Sequence, residues 1–562
     1  MILKALYDYY HRSGDLPPMG FEKIGISYVI VIDNDGNFKR IDPKIKDKKP
    51  IEFCVHQKCR KSSDVTPNIL WDNAIYILGI ESNRDEHQKF VEKCKTLLNL
   101  NPDRIELRAI CAFYENGGIE QLSDSQELSD IQKNPKVWIS FQIQGELDII
   151  PLSCKDILLE ERSNNDIGVC LITGEETSLV KTAGKFMLEG NNAHIVTFQK
   201  DCGYDSYGKT QCYNAPIGKS AEFATTTALK TLTGKDSRNK YRLSENRTFV
   251  FWASNNNETS KATEESFFMF INNEYNPNTG LQKVIEVFKS VWSGKNTTKD
   301  KDLLYLLGLA PVNKGRHAVV YWNECTVMEF AGNILRHFED MEIVDGRKEQ
   351  KPYMGIYSML STVTLGGKQS DVQPNLPEAV LKSIVQGIPY PYTLFSSCIR
   401  RIRAEVSDKV NGKLVEACSI QRIAIIKAYL NRIKDNNKKI QVMLDKENTN
   451  EGYLCGRLFA VLDKIQYAAN GQNSIRSSYM NAASSTPAAV FARIMSLSNS
   501  HIVRLKKEKP GLANYFEEIK SEILEKISAN GFPSVLPLQD QGRFFVGYYH
   551  QKNDKKENVD NE

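Results

Sequence analysis

The feature that most limits how this chain can fold is a change of hydrophobic period near Pro377. Before it, short apolar runs of strand length alternate with helical patterns. After it, strand-like runs fade and apolar residues recur every three to four positions. Helices are predicted over Glu378–Gln386, Leu394–Val406, Leu414–Lys434, Gly452–Ala469, Ser474–Ala483, Ala488–Ser500 and Leu512–Ala529. The chain therefore reads as α+β: a mixed α/β N-terminal part with antiparallel hairpins over 1–375, then a C-terminal α-helical bundle over 376–552. The charged tail 553–562 is expected to be disordered. With 562 residues the chain exceeds what a single core serves.

Within the N-terminal part, Ile2–His11 has helical spacing and is closed by Ser13-Gly14 and Pro17-Pro18. Ile24–Ile32 and Asn37–Ile41 flank Asp33-Asn34-Asp35-Gly36, a turn sequence that predicts a β-hairpin. Further strands are expected at Ile51–Val55, Ala74–Ile80, Val137–Ile143, Val169–Ile172, His194–Phe198, Thr248–Trp252 and His317–Trp322, and helices at Asp85–Leu98 and Ser220–Leu232. The polar stretches 256–266 and 293–302 read as surface loops.

Composition excludes several classes. With 73 Lys and Arg against 69 Asp and Glu, the net charge of +4 is too small to mark a nucleic-acid binder, so any basic footprint must be local. Twelve cysteines without a C-x-x-C pair, and an opening sequence without a long apolar run, predict a reduced, cytoplasmic setting. The longest apolar runs, such as Tyr28–Ile32 and Ile75–Ile80, fall far short of the ~18 residues of a membrane span, so no membrane contact is expected. No G-x-S-x-G or H-E-x-x-H pattern occurs and no His or Cys stands at zinc-ligand spacing, so catalytic residues, metal and cofactor are all expected to be absent.

Residues 203–210, Gly-Tyr-Asp-Ser-Tyr-Gly-Lys-Thr, match the phosphate-binding P-loop string G-x-x-x-x-G-K-[ST] at every position. A working P-loop needs a helix that begins at its Lys, and Pro216 falls where that helix would have its second turn. Val29–Asp33 resembles the strand that ends in a metal-binding Asp, but a hairpin accounts for it and it lies upstream. A P-loop ATPase acting on nucleic acid is therefore the alternative, not the main reading. The same residues serve a simpler anion site. Ser206, Tyr207, Gly208 and Lys209 lead into Gln211 and Asn214, and Gly218, Lys219 and Ser220 open a helix whose N-terminal amides favour an anion. Gln211 and Asn214 either read base edges or stabilise the turn.

Two further groups suit nucleic acid. Lys58, Arg60 and Lys61, followed by Ser62 and Ser63, form a basic loop ahead of Pro67-Asn68-Ile69-Leu70-Trp71-Asp72-Asn73. Such a loop can hold phosphates, and Asn73 can pair with a base edge; a solvated loop followed by Asx capping is the other reading. Between Arg400 and Lys439, eleven basic residues face four acidic ones, with Arg400, Arg401, Arg403, Arg422, Lys427 and Arg432 interleaved with Ile402, Ile425, Ile426 and Tyr429. An excess of one sign on two helices favours a nucleic-acid-facing pair over a merely solvated face.

Taken together these segments resemble the large subunit of the type I-C CRISPR Cascade, the Csd-one family. The likeness runs in collinear order through MILKALYDYYHRSGDLPPMGFEKIGISYVIVIDNDG, PNILWDNAIYILGI at 67–80, CLITGE at 170–175, and SYGKTQCYNAP with AEFATTTAL. It continues through RIAIIKAYLNR, GYLCGRLFAVLDKIQ, SSTPAAVFARI at 484–494 and GYYHQK at 547–552. It implies a non-catalytic role in RNA-guided DNA binding: pairing with a crRNA reads the target while protein reads the adjacent PAM in duplex DNA. It also implies PAM and duplex contacts and contact with the crRNA 5′ handle end in the N-terminal part. The helical part then binds the displaced or target strand. The implied protein partners are the Cascade backbone, handle-binding and small subunits, and a helicase-nuclease recruited in trans. A structural subunit that touches only RNA and protein is the remaining alternative. The family's loop commonly carries an acid after Ser-Tyr-Gly-Lys, where this chain has Thr210, so the substitution that completes the P-loop string is incidental. The resemblance further suggests a small helical subunit translated from an internal start, for which Met443, ahead of Asn448–Glu451, is the candidate.

Overall fold

The computed structural model describes residues 2–59, 65–81, 85–157, 166–204, 207–244, 246–272, 280–295, 302–313, 315–345, 355–410, 413–434, 439–471 and 474–554. The fold is α+β, as the periodicity predicts. The chain divides into two compact units, neither continuous in sequence: 13–184 with 198–228, and 1–12 with 185–197 and 229–562. The change of texture near Pro377 is real, but the contacts cut the chain elsewhere, because the sheet that precedes Pro377 belongs to the same unit as the helices that follow it.

In the first unit a four-stranded sheet has the order Phe38–Pro43, Tyr28–Ile32, Trp138–Ile143, Trp71–Asn73, with the central pair parallel and the outer pairs antiparallel. The expected hairpin is present over Tyr28–Ile32 and Phe38–Pro43. Asp33 Oδ1 closes its turn by accepting from the N–H groups of Asp35 and Asn37, at 3.0 and 2.8 Å. The hydrogen bonds from Lys39 and Asn37 hold the Asp33 carboxyl far below the usual carboxylate range. The expected strand Ile24–Ile32 is in fact two. Phe21–Ile26 pairs instead with Lys49–His56 in a separate three-stranded sheet, and the chain changes sheets at Ser27, whose N–H donates to Trp138 O. One core, around Ile30, Ile77, Phe90, Phe113 and Phe141, lies between the four-stranded sheet and the helices Glu86–Leu100 and Ile105–Glu115.

Ala74–Ile80 was expected to be a strand and forms the helix Ala74–Leu78, started by Asn73 and ended by Gly79 at φ 70°. The run Ala-Ile-Tyr-Ile-Leu is apolar on every side, so its period cannot separate strand from helix. His194–Phe198 is not a strand, and the expected strand Val169–Ile172 is a short one at Ile167–Val169.

In the second unit Lys240–Ser244, Arg247–Ala253, Leu303–Asn313 and Arg316–Thr326 form an antiparallel meander. Phe249, Phe251, Leu304 and Leu306 line one core with helices from Glu258–Asn272 through Leu538–Asn553. The polar stretch 256–266, expected as a surface loop, lies largely in the helix Glu258–Asn272. Its Ser260, Thr263 and Ser266 are buried, and Thr263 Oγ1 donates to Thr259 O at 2.8 Å. By bonding within its own helix the Thr263 hydroxyl faces the core without being left unpaired. The final helix, Leu538–Asn553, is buried along nearly its whole length and lies against Glu451–Asn470, with glycines where the two backbones meet. Among the described residues no helix is long and apolar enough to cross a membrane.

Candidate nucleic-acid interface

The P-loop string does not build a P-loop. Thr210 is extended, with φ −112° and ψ 143°, and the residues after it make only the four-residue 3-10 turn Gln211–Asn214. The helix begins at Lys219, ten residues after Lys209, and ends at Leu232, close to the boundaries predicted for it. What the loop does present is an exposed aromatic and a charge: Tyr207 is 90% exposed, and Lys209 beside it is exposed as well. Gly208 between them has φ 71°, a conformation that glycine adopts without strain, and a Cβ there would meet nothing within 4 Å. An aromatic face beside a cation on an open turn suits a base stacked over its own phosphate.

The turn that follows is held internally. Asn214 Nδ2 donates to Gln211 O at 3.0 Å and to Lys209 O at 3.4 Å, so the amide group of Asn214 stabilises the turn. Gln211 is half-buried with φ 48°. Gly218 is small for the sake of its own chain: a Cβ there would lie 2.4 Å from Thr177 Cγ2. Beside it, burial would raise the Cys170 thiol, but hydrogen bonds from the backbone of Gly218, Thr173 and Ile172 outweigh burial and leave it lowered.

Lys58 and Asn73 lie in the same compact unit as Tyr207, Lys209 and Lys219, whereas the group Arg400–Arg432 lies in the other. Lys58 is exposed and its Nζ sits 4.8 Å from the centre of the Trp138 ring. Asn73 is half-buried at the end of the edge strand Trp71–Asn73, and its Oδ1 accepts from Tyr76 N–H at 3.4 Å. Arg60, Lys61, Ser206 and Lys438 lie outside the described residues.

The expected basic face between Arg400 and Lys439 is corrected by burial. Arg422 is 8% exposed and donates to Ala417 O and Thr362 O, besides its ion pair with Glu405. Lys427, 3% exposed, donates to Asp340 O at 3.0 Å, and burial lowers its pKa. Arg432 is paired with Asp340, donates to Ser383 O and Ile388 O, and lies 4.3 Å from the Tyr390 ring centre. These three are internal braces, and Arg401 is spent on Glu405 at 3.0 Å. Arg400 is exposed with a hydrogen bond to Ser397 Oγ. Arg403 differs from all of them. Its guanidinium is partly buried, its Nε and one Nη have no partner among the described residues, and burial lowers its pKa. An uncompensated cation of this kind favours an incoming anion.

Sequence reasoning missed a second exposed face, on the helix Pro487–Glu508. Its outward positions Arg493, Ser496, Ser500, Arg504 and Lys507 follow helical spacing. The signal was available in the sequence as an absence of acid: no Asp or Glu occurs from Lys464 to Lys507, although 69 of the 562 residues are acidic. Arg504 is partly spent on Glu508 and Asn470 and Lys506 pairs with Glu517, so among the described residues Arg493 and Lys507 are its open charges.

A family model for the CRISPR-associated protein (Cas_Csd1) matches residues 5–555. The chain belongs to this CRISPR-associated family. No curated protein matches the chain. Since the match spans both units, the Cas_Csd1 assignment covers the loop at Tyr207, the edge strand at Asn73 and the helical part alike.

Proposed function

We propose that this chain is the non-catalytic large subunit of a type I-C CRISPR Cascade complex, which reads the PAM in duplex DNA, aids duplex opening and R-loop formation, and supports recruitment of a helicase-nuclease in trans. The observation that carries the reading is the open turn Tyr207-Gly208-Lys209, a 90% exposed ring beside an exposed cation, in a chain of a CRISPR-associated family. In RNA-guided complexes base pairing delegates sequence reading to the guide, so the protein needs only a small site for a short motif and a track for phosphates. Tyr207, Lys209, Lys58 and Asn73 suit the first. Arg493, Ser496, Ser500, Lys507 and Arg403 suit the second, on the displaced or target strand. The partners on this reading are crRNA, target DNA, and the backbone, handle-binding and small subunits.

The test is the assembled complex carrying Lys209→Ala, Asn214→Ala and Asn73→Ala together. Target-duplex binding is expected to weaken by roughly tenfold or more, with reduced discrimination between PAM sequences. Wild-type affinity and discrimination in that variant would remove the site assignment.

A further inference from the structure

Asp72 is fully buried in the edge strand Trp71–Asn73. Its Oδ2 accepts from Asn68 N–H at 2.9 Å and its Oδ1 from Asn73 N–H at 2.7 Å. One carboxylate therefore fixes both ends of the segment Asn68–Asn73, which makes a tight bend at Leu70 with φ 64°. Asn68 is itself 1% exposed, and its Oδ1 reaches outward to accept from Cys59 N–H at 3.0 Å. Two more contacts tie the same stems. Lys93 Nζ donates to Pro67 O at 2.7 Å and lies 3.4 Å from Cys59 Sγ, and Trp71 Nε1 donates to His56 O at 3.0 Å.

We propose that Asp72 and Asn68 are positioning residues for recognition, a buried staple that sets Asn73 on the strand edge in fixed register with Lys58 and Cys59. The chemistry explains why these residue types stand here. Leaving a backbone N–H unpaired in a dry interior costs stability, and only a carboxylate offers two acceptor oxygens to two diverging N–H groups. Asn68 then relays that fixed point: its backbone N–H is held by Asp72 while its side-chain oxygen holds Cys59. A contact to a base edge depends on sub-ångström placement, whereas a contact of Lys58 to phosphate tolerates movement. Loosening the staple therefore costs discrimination and spares general affinity. The inference rests on the proposed reading of duplex DNA by this unit.

The experiment uses Asp72→Asn and Asn68→Ala in the full chain, with two readouts. Amide hydrogen exchange on the free protein reports the staple without any DNA: exchange at Cys59 is expected to accelerate at least about tenfold in both variants, and at Asn73 in Asp72→Asn. Binding of the assembled complex to matched-PAM and altered-PAM duplexes reports the role. The ratio of the two affinities is expected to fall about tenfold or more, while affinity for the altered duplex and the salt slope stay at wild-type values. Unchanged exchange at Cys59 overturns the staple. Accelerated exchange with an unchanged ratio, or an equal loss on both duplexes, overturns its part in recognition. A wild-type complex that does not discriminate overturns the underlying reading and this role with it, and the exchange data still judge the staple separately.

Discussion

Arg432 and Lys209 carry the same charge in opposite surroundings, and the same substitution should read out oppositely at the two. Arg432→Ala leaves the Asp340 carboxylate without its Arg432 partner and removes the Arg432 donor from the carbonyls of Ser383 and Ile388. The expected cost is about 3–5 kcal/mol of folding stability by chemical denaturation. Lys209→Ala at an exposed turn should stay within about 0.5 kcal/mol of wild type and act only on binding. The sequence cannot separate these two residues, because a count of charges along a chain does not report which face of a helix meets its neighbours. The helix Ile420–Arg432 is buried almost throughout, so Arg422, Lys427 and Arg432 face the interior. At the Tyr207 turn the sequence was a better guide, since Pro216 alone forbids the long helix a nucleotide site requires. His550 supplies a test of a buried group. Burial, helped by Lys427, lowers its pKa to about 3 from an ordinary 6.5, and its Nδ1 bonds the Tyr453 hydroxyl at 2.9 Å. Below about pH 6.5 the unfolded chain takes up a proton that the folded chain refuses, so stability is full above that value and falls as pH drops towards about 3. By linkage the loss from this one group is about 2 kcal/mol at about pH 5. Denaturation of wild type and His550→Gln at about pH 7 and about pH 5 should show a shallower pH dependence in the variant.

Elements were legible where one period was clean and obscure where burial was all-round or polar. Glu86–Leu100 and Lys219–Leu232 announce themselves by spacing. Glu258–Asn272 does not, because its buried side chains are Ser and Thr as well as Phe, and Leu538–Asn553 does not, because Gly542 and Gly547 interrupt its apolar pattern. Those glycines have the opposite purpose. In the pair formed by Glu451–Asn470 and Leu538–Asn553, a Cβ at Gly456 would fall 2.0 Å from Phe544 O, and one at Gly547 would fall 2.2 Å from Tyr453 O. The two helices are close enough that backbone touches backbone, and either methyl group forces them apart. Gly456→Ala is therefore expected to cost roughly 3 kcal/mol or more, beyond the helix propensity that alanine adds. Gly511→Ala is the control within a helix: a Cβ there meets nothing within 4 Å, and the substitution should stabilise by about 0.5–1 kcal/mol. Melting temperatures of the two variants, measured side by side, should move in opposite directions.

At the scale of the whole molecule, a net charge of +4 over 562 residues hides where the charge is available. The helical part looked basic along its sequence, but it consumes Arg401, Arg422, Lys427 and Arg432 in its own construction, and among the charges it exposes are those on Pro487–Glu508. The other unit carries Lys58 and Lys209 at its surface. Nucleic-acid binding releases counterions, so the logarithm of the affinity falls with the logarithm of salt by about 0.9 for each phosphate neutralised. Only cations that reach phosphate contribute to that slope. Lys58→Ala with Lys209→Ala should therefore reduce the slope for duplex DNA by about 2, and Arg493→Ala with Lys507→Ala should reduce it by a similar amount for single-stranded DNA. Lys427→Met should leave both slopes unchanged even where it lowers stability, since the Lys427 ammonium is bonded to Asp340 O inside the fold. Titrations of the assembled complex across a range of salt concentrations distinguish the outcomes. A slope that falls with Lys427→Met and holds with Lys58→Ala and Lys209→Ala would move the proposed duplex-binding surface from the unit with Tyr207 to the helical one.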